Sequence, residues 1–250
     1  MCTVSWLASP SVGSGPETYE IFFNRDESRL RQIADPPEVK EHNGVKFLAP
    51  TDPDAGGTWL AVNEYGLSVA ILNHYQAHQS CGEGPYTSRG KLVISLMDAP
   101  RVQDAVARLS SDVLTPYRAF ILLIFGRNEC PQRLLWEGSS LVVDDLEPLM
   151  QPITTSSFNP EEVISRRMTA FSKLVTLNSP SAAELAAFHR HREEDDAYSV
   201  CMSRPDALTV SFSRVKVSPE GVRFKYYSDG PGQNSSAYEM SLSMTTEAPR

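Results

Sequence analysis

The order of its predicted elements constrains the fold of this 250-residue chain more than any other feature. Segments with strand patterns come first, followed by two helical segments, more strands, two further helical segments and a last group of strands. Because helices and strands do not alternate singly, a doubly wound parallel sheet is disfavoured. The order instead predicts an α+β fold of two stacked antiparallel sheets, with a helix pair on each outer face.

Hydrophobic periodicity and turn residues give the predicted boundaries. Strands are expected at 3–8, 18–23, 45–48, 59–62, 67–73, 117–125, 133–136, 198–202, 207–217 and 222–227. Helices are expected at 88–97, 102–109, 160–177 and 181–190, and a loop is expected around Pro36 and Pro37. With no internal repeat and no evident linker, residues 1–230 are predicted to form one domain. The Ser-, Gly- and Met-rich tail at 231–250 is expected to fray.

Composition excludes several classes of function. The net charge of −8 is spread along the chain, which disfavours nucleic acid as a partner. The longest apolar run, at 119–125, is far shorter than the roughly 18 residues of a membrane helix, and the N-terminus lacks the pattern of a secretory signal. The four cysteines are widely separated, so we expect neither a metal site nor a cofactor, and a reducing, cytoplasmic setting. Cys130 and Cys201 are predicted to be small core residues.

Cys2 is the first candidate for chemistry. Methionine is normally trimmed when the second residue is small, so Cys2 would begin the mature chain. An α-amine titrates near about 7.7–8.0 and a free thiol near about 8.5, so both groups are close to titrating at neutral pH. Such an amine suits a general base and a thiolate is a strong nucleophile, so no separate histidine is needed.

The first two predicted strands form a hairpin that brings Cys2 close to the segment 24–27. There, the guanidinium of Arg25 would favour the thiolate and the carboxylate of Asp26 would hold the amine. Asn73, at the end of a buried strand, suits an oxyanion hole. The alternatives are a solvated turn with a local ion pair at 24–27, and an asparagine that simply bonds to a turn.

Five short motifs occur along the chain in a fixed order. They are Met1-Cys2-Thr3, Asn24-Arg25-Asp26-Glu27, the Gly-Gly-Thr-Trp-Leu run at 56–60, Asn73 with Tyr75, and the Ser-Arg-Gly-Lys-Leu-Val run at 88–93. In this order they resemble the NRDE family, which includes the transport-and-Golgi-organisation protein 2 homologues. The resemblance runs from residue 1 to about residue 217.

The chain is also distantly similar to the choloylglycine hydrolases and penicillin V acylases, which are cysteine amidases of the N-terminal nucleophile (Ntn) type. That similarity rests on residues 1–3, on 62–67 with 72–73, and on Ser165-Arg166. It implies a four-layer αββα sandwich with Cys2 as nucleophile, its amine as base and Asn73 as oxyanion donor. It also implies that Arg166 belongs to the active-site pocket.

Two departures from the amidase pattern matter. The amidases show an Arg-Asn-x-Asp order where this chain has Asn24-Arg25-Asp26-Glu27, and they carry an asparagine where this chain has 155–157. The hydroxyl of Ser156 would donate in place of that asparagine. We therefore assign Ser156 and Trp59, with Arg166, to substrate binding. Asn24 and Glu27 are assigned supporting roles.

The predicted function is hydrolysis of a non-peptide C–N bond, such as an amide, through an acyl-enzyme on Cys2. The expected partner is a small-molecule substrate, and the sequence leaves the oligomeric state open. The alternative is a non-catalytic carrier on the same scaffold, binding haem or a lipid-like molecule, as the resemblance to eukaryotic family members implies. A metal site at His189 and His191 is disfavoured, since helix positions two apart point in different directions.

Overall fold

The structure is a computed structural model that describes residues 1–9, 15–80, 84–232 and 237–245. Its strands are β1 (Cys2–Ala8), β2 (Tyr19–Ser28), β3 (Asp35–His42), β4 (Val45–Thr51), β5 (Leu60–Asn63), β6 (Ser68–Asn73), β7 (Phe120–Phe125), β8 (Gln132–Trp136), β9 (Leu141–Asp145), β10 (Ile153–Thr155), β11 (Ala207–Ser218), β12 (Gly221–Tyr227) and β13 (Ala237–Leu242). Its α-helices are α1 (Arg89–Ser95), α2 (Val102–Ala107), α3 (Ser111–Leu114), α4 (Pro160–Leu174) and α5 (Ala182–Arg190).

The strands form two antiparallel sheets. One has the order β10-β1-β2-β11-β12-β13, and the other runs from β3 to β9 in chain order. Helices α4 and α5 pack on the first sheet, and α1 packs on β5 and β6 of the second. This confirms the predicted sandwich of two sheets with helices outside.

Alternation along β1 decides which side chains face the space between the sheets. Cys2, Val4 and Trp6 belong to the large core cluster that both sheets share. Thr3 and Ser5 point to the opposite face, towards α4 and α5, where Thr3 Oγ1 accepts a hydrogen bond from Arg167 and Ser5 Oγ lies 2.9 Å from His189 Nε2. Cys2 therefore faces the interior, at the open end of its strand.

The layer between the first sheet and its helices has a core of its own. Phe22 and Phe212 of the sheet pack there against Phe171 of α4 and Phe188 of α5. Helix α5 begins with a capping box, in which Ser181 and Glu184 each bond to the other's backbone N–H. His189 is fully buried against this core, with its ring beside Phe22, Phe188 and Phe212.

Several boundaries differ from prediction. The segment around Pro36 and Pro37 is strand β3 rather than a loop, because β3 is an edge strand, where missing N–H donors are tolerated. Strands β9 and β10 and the short helix α3 were not predicted. Residues 198–202 form turns and bends instead of a strand, although Val200 and Met202 are buried as their apolar character suggests.

The tail and the cysteines also bring corrections. Part of the tail that was expected to fray is strand β13, which pairs with β12 over Ala237–Leu242. Residues 233–236 and 246–250 lie outside the described residues. Cys201 is buried as predicted, whereas Cys130 is exposed, because it precedes β8 in a surface turn; Cys81 lies outside the described residues. Within the described ranges, no helix is long and apolar enough to cross a membrane.

Candidate active site

The register of the first hairpin places Cys2 directly opposite Arg25, as the predicted pairing requires. The end of this hairpin opens on a cavity of about 380 Å³ between the two sheets. Six of the residues predicted for the site line this cavity: Cys2, Arg25, Asp26, Glu27, Trp59 and Asn73. Residues far apart in sequence therefore converge on one concave surface.

Arg25 belongs to a network of charges in the cavity wall. Its Nη2 donates to Asp52 Oδ2 at 3.0 Å and to Glu27 Oε2 at 3.3 Å, and its guanidinium carbon lies 4.2 Å from the centre of the Trp59 ring. Arg31 also pairs with Asp52. The network fixes Arg25 over the aromatic ring, so that the predicted cation beside Cys2 is held by carboxylates rather than by solvent.

The side chain of Asp26 lies on the opposite face of the sheet from Cys2. Cys2 pairs with Arg25, and neighbouring residues of a strand point to alternate faces. Its carboxylate accepts hydrogen bonds from Arg167 Nη2 at 3.2 Å and from Thr209 Oγ1 at 2.7 Å. The side chains of Asp26 and Arg167 are both fully buried. What Asp26 offers the cavity is its backbone.

Arg167, which was not predicted, is the arginine of α4 that reaches the sheet. Its Nη1 also donates to Thr3 Oγ1 and Thr154 Oγ1. The predicted pocket residue, Arg166, pairs instead with Glu162 and Glu193 on the outer side of α4. The helical spacing of the buried positions 163, 167, 170 and 171 is the sequence signal that places Arg167, and not Arg166, on the face of α4 towards the sheet.

Asn24 supports the site from behind and does not face the cavity. Its Nδ2 donates to the carbonyl oxygens of His189 and Val200, at 2.9 and 3.0 Å. These bonds tie β2 to the end of α5 and to the turn that follows it. The supporting role predicted for Asn24 is therefore a structural one in this geometry.

Met1 occupies the space beside Cys2 and is itself buried. Its amine donates to the carbonyl oxygen of Asp26 at 3.2 Å and to the Tyr75 hydroxyl at 2.9 Å, and its own carbonyl oxygen accepts from the Asp26 N–H at 3.0 Å. Asn73 Nδ2 donates to the same Tyr75 hydroxyl at 2.9 Å. The Met1 amine is thus bound by the backbone of Asp26. The predicted contact of the Asp26 carboxylate is with a different group, the amine that Cys2 would carry after Met1 is removed, and it stays a prediction.

Burial controls the thiol of Cys2 in this form of the chain. Desolvation raises the pKa of Cys2 to about 11, and the nearby N-terminal amine and Arg25 offset only part of that rise. At neutral pH the sulfur is therefore a protonated thiol while Met1 is in place.

Strand β10 supplies the residue opposite Cys2 on its other side. That residue is Thr155, whose buried Oγ1 has no hydrogen-bond partner among the described residues. Ser156, which was predicted to serve here, is not one of the described residues that line the cavity. Its Oγ donates to the Phe158 carbonyl oxygen at 2.6 Å and lies 3.0 Å from the sulfur of Met1. The strand register, and not the sequence order, identifies Thr155 as the residue paired with Cys2 on β10.

Two glycine motifs shape the far wall of the cavity. A Cβ at Gly57 would lie 2.7 Å from the carbonyl carbon of Gly90, and a Cβ at Gly90 would lie 2.6 Å from the nitrogen of Thr58. Both distances are shorter than any normal contact, so the backbone at 57–58 and the start of α1 approach each other only because both residues are glycine. Both glycines line the cavity.

Solved structures that match this fold include an acylase, a bile acid hydrolase and an acid amidase. The fold matches penicillin V acylase from Agrobacterium tumefaciens, with a TM-score of 0.54 at 11% identity over 97% of this chain and 86% of that one. It also matches the C2A mutant of conjugated bile acid hydrolase from Clostridium perfringens, with a TM-score of 0.56 at 12% identity over 97% and 92%. A third match is the Caenorhabditis elegans orthologue of N-acylethanolamine-hydrolyzing acid amidase, with a TM-score of 0.52 at 11% identity over 84% and 91%.

These likenesses define the fold class: the chain has the αββα sandwich of the Ntn hydrolases. The profile described as Transport and Golgi organisation 2 matches residues 1–221, and the chain belongs to that family. The search of curated proteins returned no match.

Proposed function

We propose that this protein is an N-terminal-cysteine amidohydrolase, which cleaves an amide C–N bond through an acyl-enzyme on Cys2 once Met1 has been removed. The observation that carries the proposal is the convergence of Cys2, the backbone of Asp26 and Asn73 on one cavity at the start of β1. The likeness in fold to a penicillin V acylase and a conjugated bile acid hydrolase supports it.

Removal of Met1 transfers the free amine to Cys2, so that base and nucleophile share one residue. The amine takes the thiol proton while the sulfur attacks the substrate carbonyl carbon. Asn73 Nδ2 and the Asp26 N–H are the donors for the oxyanion that develops. The amine then passes its proton to the leaving nitrogen, and a thioester remains on Cys2. Water, activated by the same amine, hydrolyses the thioester and releases the acid.

Buried charges behind Cys2 keep this arrangement rigid. Arg167 neutralises the Asp26 carboxylate on the outer face of the sheet, so that the Asp26 backbone stays fixed beside the reacting groups. Thr155, which pairs with Cys2 across the sheet and has a buried hydroxyl with no hydrogen-bond partner among the described residues, is a further candidate donor. Preorganised donors of this kind supply much of the stabilisation in acyl transfer.

The fold neighbours suggest the first substrates to try: penicillin V, a conjugated bile acid and an N-acylethanolamine. The experiment is to confirm the mass of the mature N-terminus, incubate the protein with each amide, and measure released amine and the mass added to the peptide that contains Cys2. We expect Cys2→Ala to abolish both signals, whereas Cys130→Ala, at an exposed cysteine, keeps them. Full turnover by Cys2→Ala of any amide that the wild-type protein cleaves would refute the proposal.

A second function, carriage without cleavage, is favoured by one observation. With Met1 in place, the pKa of Cys2 is raised to about 11 and the amine belongs to another residue, so the site lacks an activated nucleophile. In that form the cavity could only bind. Haem titration of the Met1-bearing protein and of Cys2→Ala, followed by absorbance, separates the two functions: a carrier binds haem in both, and an electrophile modifies neither at residue 2.

A further inference from the structure

The side chain of Met1 fills a closed socket next to the candidate active site. It packs against Met202, Ala207 and Tyr75, and it is 8% exposed. Met1 is also part of the wall of the Cys2 cavity. Loss of Met1 therefore enlarges that cavity by the volume of a whole methionine residue, and the new space continues directly from Cys2.

The socket holds a buried guanidinium, and one of its nitrogens has only a weak acceptor. Arg204 uses Nε and Nη2 to bind Asp206, at 3.0 and 2.9 Å, and its Nη1 points at Met1 Sδ, 3.7 Å away. Arg204 is 9% exposed. A thioether is a poor acceptor, and a buried charged donor that lacks a good acceptor costs stability. An oxygen acceptor would suit Nη1 better than the sulfur does.

Ser156 does not compete with Arg204 Nη1 for an acceptor in the socket. Its hydroxyl donates to the Phe158 carbonyl oxygen and accepts the Phe158 N–H at 3.1 Å, so its proton is already used. Its contact with the Met1 sulfur is therefore packing. Arg204 Nη1 is the donor that a new occupant would meet.

The main-chain atoms of Met1 are matched as closely as its side chain. The Asp26 carbonyl oxygen and the Tyr75 hydroxyl accept hydrogen bonds from its amine, and the Asp26 N–H donates to its carbonyl oxygen. Together with the socket, these groups recognise an amine, a carbonyl and an unbranched side chain. That is the pattern of an α-aminoacyl group.

Building on the proposed function, we propose that the space vacated by Met1 is the acyl subsite, and that it selects an α-aminoacyl group with an unbranched side chain ending in oxygen, of glutamyl or glutaminyl type. The δ atom of such a side chain takes the place of the methionine sulfur. Its terminal oxygen lies one C–O bond, about 1.2 Å, further on, which closes the gap to Arg204 Nη1. The substrate carbonyl oxygen accepts a hydrogen bond from the Asp26 N–H, as the Met1 carbonyl oxygen does, with its carbonyl carbon moved away from the Cys2 nitrogen to a non-bonded distance.

The test measures binding and not turnover, so that its outcome is separate from that of the hydrolysis assay. A chain that begins at residue 2, with Cys2→Ala to prevent chemistry, is released from a cleavable N-terminal fusion. Calorimetry then compares three amides with the same main-chain groups: L-isoglutamine, L-methioninamide and L-valinamide. We expect affinity to fall in that order, with L-isoglutamine at least about tenfold tighter than L-methioninamide, as a hydrogen bond between charged groups gives.

Arg204→Gln should remove the advantage of L-isoglutamine while L-methioninamide binds within about threefold of its original affinity. Arg223→Gln, at an exposed arginine of β12, is the matched control and should keep the full order. Equal binding of the three amides, no binding of any, or an equal loss of all three in Arg204→Gln would each overturn the subsite. Binding in the expected order without hydrolysis by the Cys2 form would leave the subsite standing and refute the amidohydrolase.

Discussion

The reactivity of Cys2 is expected to depend on whether Met1 is present. The size of this effect can be worked out from the structure. Burial raises the pKa of Cys2 from 9.0 to about 11 when Met1 is in place. Two pKa units reduce the thiolate fraction at neutral pH about a hundredfold, and the thiolate is the reacting species. Alkylation of Cys2 in the folded, Met1-bearing protein should therefore be at least about a hundredfold slower than in the same chain unfolded in urea.

The assay is iodoacetamide labelling at pH 7.5, read by mass spectrometry of the peptide that contains residue 2. Two forms are compared, one released from a fusion with Met1 first and the other with Cys2 first. The Cys2-first form should react at least about tenfold faster than the Met1-first form, because the cavity is open and the amine is adjacent to the sulfur. Cys130, which is exposed, reports on the reagent and should react alike in both forms.

One result would refute this reasoning. If Cys2 of the folded, Met1-first protein reacted at neutral pH as fast as in urea, the sulfur would not be desolvated as described. The pH dependence gives a second check. The native thiol keeps its proton up to about pH 11 and the unfolded one loses it near 9.0, so the stability of the Met1-first form should fall as pH rises through that interval.

Three further predictions concern the framework of the site. Burial lowers the pKa of His189 to about 3, so the neutral ring contributes fully to the free energy of unfolding above the unfolded pKa of about 6.5, and this contribution is lost as pH falls. Urea unfolding should show a loss of about 2 kcal/mol between pH 7 and pH 5, and His189→Phe should show a flat profile. Arg167→Met leaves the Asp26 carboxylate buried without its ion-pair partner and should cost about 3–5 kcal/mol, with partial recovery when Asp26→Asn is added; unchanged stability would contradict the pairing. Gly90→Ala forces its Cβ against the backbone of Thr58 and should cost about 1–3 kcal/mol in thermal unfolding, together with slower Cys2 labelling in the Cys2-first form.

Much of the site could be predicted because it depends on one local pairing. Two strand patterns joined by a turn place residue 2 opposite residue 25, and no long-range information is needed. Asn73 could be placed because it is the polar residue that ends a buried strand. Both lie in the cavity, as expected.

Other residues of the site depend on which face a side chain takes. Strand alternation sends Asn24 and the Asp26 carboxylate to the outer face, so a motif of four consecutive residues serves two layers of the fold. On α4, motif resemblance pointed to Arg166, whereas the apolar face of the helix contains Arg167. One position along a helix is a rotation of about 100°, which separates a surface ion pair from a buried one.

The position of strand β10 could not be predicted from local sequence patterns. The strand is three residues long, and its place at the edge of the sheet depends on pairing with β1, roughly 150 residues earlier in the chain. Pattern analysis therefore selected Ser156, and only the register identifies Thr155 as the neighbour of Cys2. A cytoplasmic location and the absence of a cofactor stay predictions.

The buried position of Met1 has a consequence for how the molecule matures. An exopeptidase must draw a free, extended terminus into its own site, but here the terminal amine is bonded inside the protein and the side chain is packed away. The removal of Met1 that the proposed function requires would therefore have to precede the joining of the first strand to its sheet. On that proposal, a copy that folds before the removal keeps its methionine, so the ratio of the two forms in a preparation measures how removal competes with folding of the N-terminal hairpin.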